Sequence, residues 1–78
     1  MNVNFKLLDT VVLEKDLPNL GLQRGDIGAV VEVYEPDGVE VEFVKGSGQT
    51  QALVTLKQID VRSVDDSEIL AVRSLHVA

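Results

Sequence analysis

The sequence predicts an all-β domain, and three of its patterns carry that prediction. Between residues 39 and 44, apolar and acidic side chains alternate with a period of two, as in a strand with one buried face. The preceding segment, residues 27–34, is rich in β-branched residues. A turn-forming Glu-Pro-Asp-Gly stretch separates the two segments. With 78 residues, the chain has room for one such domain.

Five strands are predicted, at residues 7–14, 27–34, 39–45, 50–55 and 61–64. Between the first two strands, Gly25 is expected in a tight turn at positive φ, and Gly28 is expected to mark a bulge or a close backbone approach. A single 3₁₀ turn over residues 55–60 precedes the last strand. A long first loop, a meander and a short helical turn before the final strand describe a small SH3-like (KOW-like) five-stranded barrel. Closing the sheet would leave no exposed strand edge.

The first hairpin is expected to set the register of the sheet. Pro36 suits the second position of a type I turn, and Gly38 can take the left-handed conformation that follows it. Together they predict a three-residue loop with a G1 bulge. This loop pairs Val33 with Val41 and directs Val31 to the same apolar face.

The same register places acidic residues together on the outer face of the sheet. Glu32 is expected opposite Glu42, and Tyr34 opposite Glu40. Like charges directly opposed across strands are mildly destabilising. The outer face is therefore either a solvated surface that guards an edge against aggregation, or an acidic patch for a basic partner.

A four-residue loop over residues 46–49 closes the second hairpin. It places Ala52 opposite Phe43, which leaves Leu53 and Val44 pointing outward. Two exposed apolar side chains on so small a domain need a cover or a partner.

The chain divides into an SH3-like barrel at residues 1–64 and a tail at residues 65–78. A capping Asp-Ser pair predicts a helix in the tail, whereas its alternating apolar residues fit a strand equally well. The tail packs either on its own barrel, over the exposed Leu53, or on another chain. Its candidate partner-binding residues are Ile69, Leu70, Val72, Arg73 and Leu75.

Composition limits the classes of function. The formal net charge is −6, and the seven Lys and Arg residues are spread singly along the chain. Because nucleic-acid affinity depends mainly on clustered basic residues, nucleic-acid binding is disfavoured. An acidic surface fits a basic protein better. The chain has no cysteine, no apolar run of membrane-spanning length and no signal-peptide pattern, so we expect a cytoplasmic protein without membrane association.

Catalytic chemistry is not indicated. The only histidine, His76, lies near the C-terminus, and no Ser or Thr stands in a nucleophile motif. Asp65, Asp66 and Glu68 do not match a calcium loop, so no metal site is expected. We therefore expect a non-enzymatic protein with no cofactor.

Three segments together resemble a known family. They are LLDTVVLEKDLPNLGLQRGDIGAVVEVYEPDGVEVEF, QALVTL and EILAVRSL, which span Leu7 to Leu75. They are similar to the small bacterial domain-of-unknown-function family four-nine-two-six. The resemblance implies a small β-barrel fold, transfers no catalytic residue, and implies a gene context like that of toxin–antitoxin pairs.

The resulting hypothesis is a protein-binding module, in its most concrete form the antitoxin-like inhibitor of a small basic, RNase-like toxin. The first alternative is a KOW-like nucleic-acid or ribonucleoprotein accessory module, and the second is a homo-oligomeric structural protein, such as a homodimer. The candidate partner-binding residues on the barrel are Glu32, Tyr34, Glu40, Glu42 and Leu53.

Overall fold

The computed structural model describes residues 3–75, which form one antiparallel sheet of five strands in the order β4-β3-β2-β1-β5. The strands are β1 Thr10–Leu13, β2 Ile27–Tyr34, β3 Gly38–Val44, β4 Thr50–Lys57 and β5 Val61–Ser63, with 3₁₀ helices at Pro18–Leu20 and Gln58–Asp60. The all-β prediction and the number of strands are confirmed. The predicted 3₁₀ turn is present but shorter, and the one at Pro18–Leu20 was not predicted.

The sheet is not closed, so the predicted barrel closure is wrong. Across the described residues β4 pairs only with β3, and β5 pairs only with β1. β5 is three residues long, and the chain leaves β4 through the Gln58–Asp60 helix. There the Asp60 carboxylate accepts the Lys57 N–H at 3.1 Å, which occupies a donor at the end of β4. Apart from this capped donor, the outer edge of β4 is open within the described residues.

The hydrophobic core lies on one face of the sheet. Its fully buried side chains, Val11, Leu13, Val30, Val39 and Val41, come from the three central strands. Leu22 from the β1–β2 loop joins this cluster. Gly28 lies where strands approach closely, because a Cβ there would be 2.6 Å from Val41 Cγ1. The prediction of a close approach at Gly28 is confirmed.

The β2–β3 hairpin differs from its predicted register. Its loop is residues 35–37, with a cis Glu35–Pro36 peptide bond, and Tyr34 pairs with Gly38. Gly38 belongs to β3 and does not adopt positive φ, so the predicted type I turn with a left-handed glycine is wrong. Because the loop falls one residue earlier, every pair shifts by two positions, which keeps each side chain on its predicted face.

A bulge near Val31 then changes the faces further along β2. Val33 pairs with Val39, but past the bulge Val30 pairs with Val41. The extra residue reverses the inward–outward alternation, so Val30 is fully buried whereas Val31 is only partly covered. The prediction that Val31 faces the core is wrong for this reason.

The β3–β4 hairpin has the predicted register as far as Phe43, but a bulge then shifts the pairing, so that Val44 pairs with Thr50 and the loop is residues 45–49 instead of 46–49. Phe43 pairs with Ala52 and Val41 pairs with Val54. Val44 and Leu53 point outward, with 51% and 57% of their surface exposed. β4 extends two residues further than predicted, to Lys57.

The predicted first strand is shortened by a turn at residues 6–9. The Asp9 N–H donates to the Lys6 carbonyl at 3.1 Å, and the Asp9 carboxylate accepts the Lys6 N–H at 2.8 Å. Leu8 in this turn has φ 73°, a left-handed conformation that is uncommon for a residue with a side chain. In the β1–β2 loop, Gly25 has φ 97° in the Gln23–Asp26 turn, as predicted.

The described part of the tail is neither helix nor strand. After β5 the chain makes one turn, in which the Glu68 N–H donates to the Asp65 carbonyl at 2.9 Å, and residues 69–75 are irregular. Both predicted conformations of the tail are wrong over residues 65–75, and residues 76–78, including His76, lie outside the described residues. No helix within residues 3–75 is long and apolar enough to span a membrane.

Candidate partner-binding surface

The outer face of the sheet brings together the five residues predicted there. Glu32, Tyr34, Glu40, Glu42 and Leu53 all lie on the side of β2, β3 and β4 opposite the core. Glu32 is directly opposite Glu40 and not Glu42, which corrects the predicted pair. Tyr34 pairs with Gly38 and not Glu40, yet it stays on the same face. We call Glu32, Glu40 and Glu42 the acidic face.

Glu40 is at the centre of the acidic face and is held by two hydroxyl groups. Tyr34 donates to Glu40 Oε1 at 2.9 Å from β2, and Thr55 donates to the same oxygen at 2.9 Å from β4. The hydrogen bond to Glu40, together with local desolvation and the charges of Glu40 and Glu32, raises the pKa of Tyr34 above its ordinary value. The carboxylate is thereby fixed in position while its Oε2 has no donor among residues 3–75.

The two flanking carboxylates are also oriented by neutral donors. Thr50 donates to Glu42 Oε2 at 2.6 Å, and the Val33 N–H donates to Glu32 Oε1 at 3.1 Å. Within the described chain, each carboxylate of the acidic face therefore keeps one oxygen without a hydrogen-bond donor. Three such oxygens, on a face exposed to solvent, are available to cations from outside.

The ion pairs of the protein lie elsewhere. Within the described residues, the salt bridges are Lys15–Asp60, Arg24–Glu14, Arg62–Glu14, Arg62–Glu68 and Arg73–Asp26. None involves a carboxylate of the acidic face, although Lys57 lies on the same side of β4. The four salt-bridged cations, Lys15, Arg24, Arg62 and Arg73, thus pair with acids outside the acidic face.

An apolar strip continues from the acidic face toward the tail. Leu53 pairs with Glu42, and Val44 lies diagonally beside Leu53 on β3. Val44 also lines a groove of about 700 Å³ together with Leu70 and Val72 of the tail. We call Val44, Leu53, Leu70 and Val72 the apolar strip. Through Val44, this strip connects the sheet candidate Leu53 with the tail candidates Leu70 and Val72.

Arg73 anchors the tail to the β1–β2 loop. Its Nε and Nη2 atoms donate to the two Asp26 carboxylate oxygens at 2.7 and 2.6 Å, and Nη2 also donates to the Gly21 carbonyl at 2.9 Å. Burial raises the pKa of Asp26, but the hydrogen bonds from Arg73 and the Gln23 N–H, with the Arg73 charge, hold it below its ordinary value. Arg73 is therefore an anchoring residue and does not point toward a partner.

The other tail residues divide between the anchor and the surface. Leu75 is partly buried and lines the same groove as Arg73. Leu70 is 57% exposed and Val72 is 99% exposed at the groove. Ile69 is 91% exposed and does not line the groove, so it is not brought together with the other candidates.

Three residues of this surface were not predicted to act in it. Thr50 and Thr55 orient the acidic face, and Asp26 holds the tail. The pairing of Thr55 with Glu40 follows from the predicted β3–β4 register, so that contact was accessible to sequence reasoning. The Asp26–Arg73 contact joins residues 47 positions apart, and no local pattern marks it.

The fold and the surface define a small acidic antiparallel β-domain with one face rich in carboxylates. The chain belongs to the family described as "Domain of unknown function (DUF4926)", whose model matches residues 7–63. This confirms the family resemblance found in the sequence, and the whole tail, residues 65–78, lies outside the matched region. No curated protein and no solved structure matches the chain.

Proposed function

We propose that the protein is a non-enzymatic, cytoplasmic protein-binding module that engages a basic partner through the acidic face and the adjoining apolar strip. Its most concrete form is an antitoxin-like inhibitor of a small basic, RNase-like toxin. Such an inhibitor covers the basic surface with which the toxin holds its phosphate-rich substrate. The gene context implied by the family resemblance supports this form.

One observation carries the proposal. Glu32 and Glu40 are directly opposed across β2 and β3, and no described cation pairs with either of them. Directly opposed like charges are destabilising, by up to about 1 kcal/mol. The four cations that form salt bridges pair with acids elsewhere in the chain. The opposed carboxylates destabilise the free protein. A basic partner that neutralises their charge in the complex explains why they are placed together.

We also propose that the fold is SH3-like. The long β1–β2 loop, the β2–β3–β4 meander and the 3₁₀ helix before β5 support an SH3-like fold that has not closed. The KOW-like alternative carries a nucleic-acid function, and the acidic face disfavours contact with phosphates. Self-association, the other alternative, becomes an outcome of the experiment below.

The test is a binding experiment with a variant that neutralises the opposed pair. Tagged protein is used to capture partners from its native cell at low and at high salt, followed by mass spectrometry. We expect one stoichiometric basic protein, retained by wild type and lost with Glu32→Gln/Glu40→Gln. The purified partner is then titrated against both proteins, and we expect a loss of affinity of about tenfold or more for two charges.

A matched control separates local from global charge. The variant Asp37→Asn/Asp66→Asn removes the same two charges from exposed positions outside the acidic face, and it should bind like wild type. Thermal unfolding should show Glu32→Gln/Glu40→Gln to be at least as stable as wild type, because a like-charge contact is removed. Equal loss in both double variants would contradict the proposal, as would capture of RNA-bound material or of the chain alone.

A further inference from the structure

We infer that the partner contributes an extended basic strand that adds to the open edge of β4 and lays its side chains across the acidic face. This inference rests on the proposed function and names the recognition element of the partner. Strand addition is a general mode of peptide recognition, in which main-chain hydrogen bonds give affinity and alternate side chains give specificity. The open edge, the residues beside it and the charge of the face each support it.

The direction of the backbone groups in β4 follows from one hydrogen bond. The Gln58 N–H donates to the Asp37 carbonyl at 2.7 Å, so residue 58 points toward the β2–β3 loop. Backbone groups alternate in direction along an antiparallel strand. The N–H and C=O groups of Leu53, Thr55 and Lys57 therefore point away from β3, toward the open edge.

Only part of this edge is available. The Lys57 N–H is already accepted by the Asp60 carboxylate at 3.1 Å, which blocks that end. The backbone groups of Leu53 and Thr55 face the open edge, and neither forms a backbone hydrogen bond outside the sheet ladder within residues 3–75. An added strand can therefore pair with β4 at these two residues, beyond the reach of the Asp60 cap.

Side chains on the outer face determine the preferred sequence of the added strand. Thr55 is the edge residue beside Glu40, and Thr50 is the edge residue hydrogen-bonded to Glu42. Both threonines are short, so a Lys or Arg on the added strand can extend over them toward a carboxylate roughly 10 Å away, two strand spacings in. Leu53, between them, is exposed and apolar.

These positions predict a pattern of basic, any, apolar, any, basic along the added strand. The basic residues lie beside Thr55 and Thr50, and the apolar residue lies beside Leu53. Thr50 is three residues from Leu53, but a bulge in β4 lets it pair with Val44, only two residues from Glu42, so an added strand with the spacing of β3 reaches both. Alternate residues point to the same face of a sheet, so all three side chains share the acidic side. Charge complementarity favours a strand of a basic partner over a β4 strand from a second copy, because a second copy carries the same net charge of −6.

The experiment uses the full chain and two synthetic nine-residue peptides of equal composition. In the first peptide, Lys occupies positions 3 and 7 and Val occupies position 5, within a Thr background. In the second, one Lys moves from position 7 to position 6, so the two Lys side chains point to opposite faces and only one of them can lie over the acidic face in any register. We expect the first peptide to bind at low salt several-fold more tightly, since the second peptide loses one carboxylate contact.

Amide hydrogen exchange tests the edge directly. The Leu53 and Thr55 amides should exchange fast in the free protein and become protected when the first peptide binds. The Val54 and Leu56 amides, which point toward β3, should be slow in both states. A peptide N-methylated at a residue that donates to β4 should lose about tenfold in affinity, and methylation of a neighbouring residue that points away should have little effect.

The outcomes separate this inference from the proposed function. Equal binding of both peptides, without protection of Leu53 and Thr55, overturns strand addition while an acidic binding surface remains. No binding of either peptide at low salt overturns strand addition and weakens the proposed function itself. In the protein, Thr55→Pro removes an edge donor without removing a ladder donor, and it should weaken the first peptide more than Thr55→Val, which loses only the hydroxyl that donates to Glu40.

Discussion

Gly28 is required by packing and not by backbone conformation. A Cβ at this position would lie 2.6 Å from Val41 Cγ1 and 3.0 Å from the Glu42 carbonyl oxygen. Backbone cannot move aside as a flexible side chain can. The close approach of β2 and β3 at this point lets Val41 reach the centre of the core.

We predict that Gly28→Ala destabilises the protein by about 1–3 kcal/mol, because the added methyl group overpacks a filled site. Chemical denaturation followed by far-ultraviolet circular dichroism measures this change.

The control is Gly46→Ala in the β3–β4 loop, where an added Cβ meets nothing within 4 Å and φ is not positive. This substitution should stabilise the protein slightly, by up to about 1 kcal/mol. Equal destabilisation by the two substitutions would show that loss of glycine freedom, and not packing, is responsible.

Glu68 is the most strongly perturbed acid of the described chain. The Arg62 guanidinium donates to both of its oxygens at 2.7 and 2.6 Å, and the Asp65 N–H donates at 2.7 Å. These hydrogen bonds, with the Arg62 charge, lower the pKa of Glu68 from 4.5 to about 2. Because the folded-state pKa is depressed, the contact stabilises the fold above the ordinary pKa and is lost as pH falls through the folded value.

We predict that an NMR pH titration gives Glu68 a pKa of about 2 in the wild type, and that Arg62→Gln returns it toward 4.5. Arg24→Gln serves as the control, because Arg24 shares Glu14 with Arg62 but does not contact Glu68. An unchanged Glu68 pKa in Arg62→Gln would contradict the assigned cause.

At the scale of elements, the two hairpins show what sequence can determine. The β3–β4 register was predicted correctly as far as the Phe43–Ala52 pair, because only one register keeps the apolar residues of the two strands on one face, but the bulge beyond that pair was not predicted. The β2–β3 register was not, because a local turn preference at Pro36 favoured the wrong loop position. The bulge at Val31 has no sequence signal, since Val30 and Val31 are both β-branched and either could face the core.

The tail is an element held by few contacts. No residue of its described part, residues 65–75, belongs to the core cluster, and the salt bridges of this part to the rest of the chain are those of Glu68 and Arg73. Its irregular conformation could not be predicted, because the helix and strand patterns overlap and the deciding contact, with Asp26, is distant in sequence.

We predict that deleting residues 66–78 leaves the sheet folded at a cost of about 1–2 kcal/mol, because Asp26 loses its charged donor. This corresponds to a fall of roughly 5–15 °C in melting temperature.

Arg73→Gln in the full chain should reproduce most of that fall. Loss of cooperative unfolding after the deletion would instead show that the tail completes the core.

At the scale of the whole molecule, charge is distributed unevenly. The net charge of −6 was evident from composition, but its separation into a paired region and an unpaired acidic face was not. That separation depends on which side chains meet across β2, β3 and β4. The sequence correctly placed Glu32, Glu40 and Glu42 on one face, and it could not show that the available arginines are engaged elsewhere. The open sheet escaped prediction because closure depends on the lengths of the terminal strands.

The unequal edges of the sheet also govern how the protein behaves when concentrated. Filaments grow when one edge strand of a sheet pairs with the opposite edge strand of the next molecule, because each addition leaves a new open edge. Here one edge offers the eight residues of β4 and the other only the three of β5. The three residues of β5 can form only a short ladder with β4, and Asp60 caps one end of the β4 edge. The molecule can therefore accept a single guest strand while remaining a poor seed for its own polymerisation.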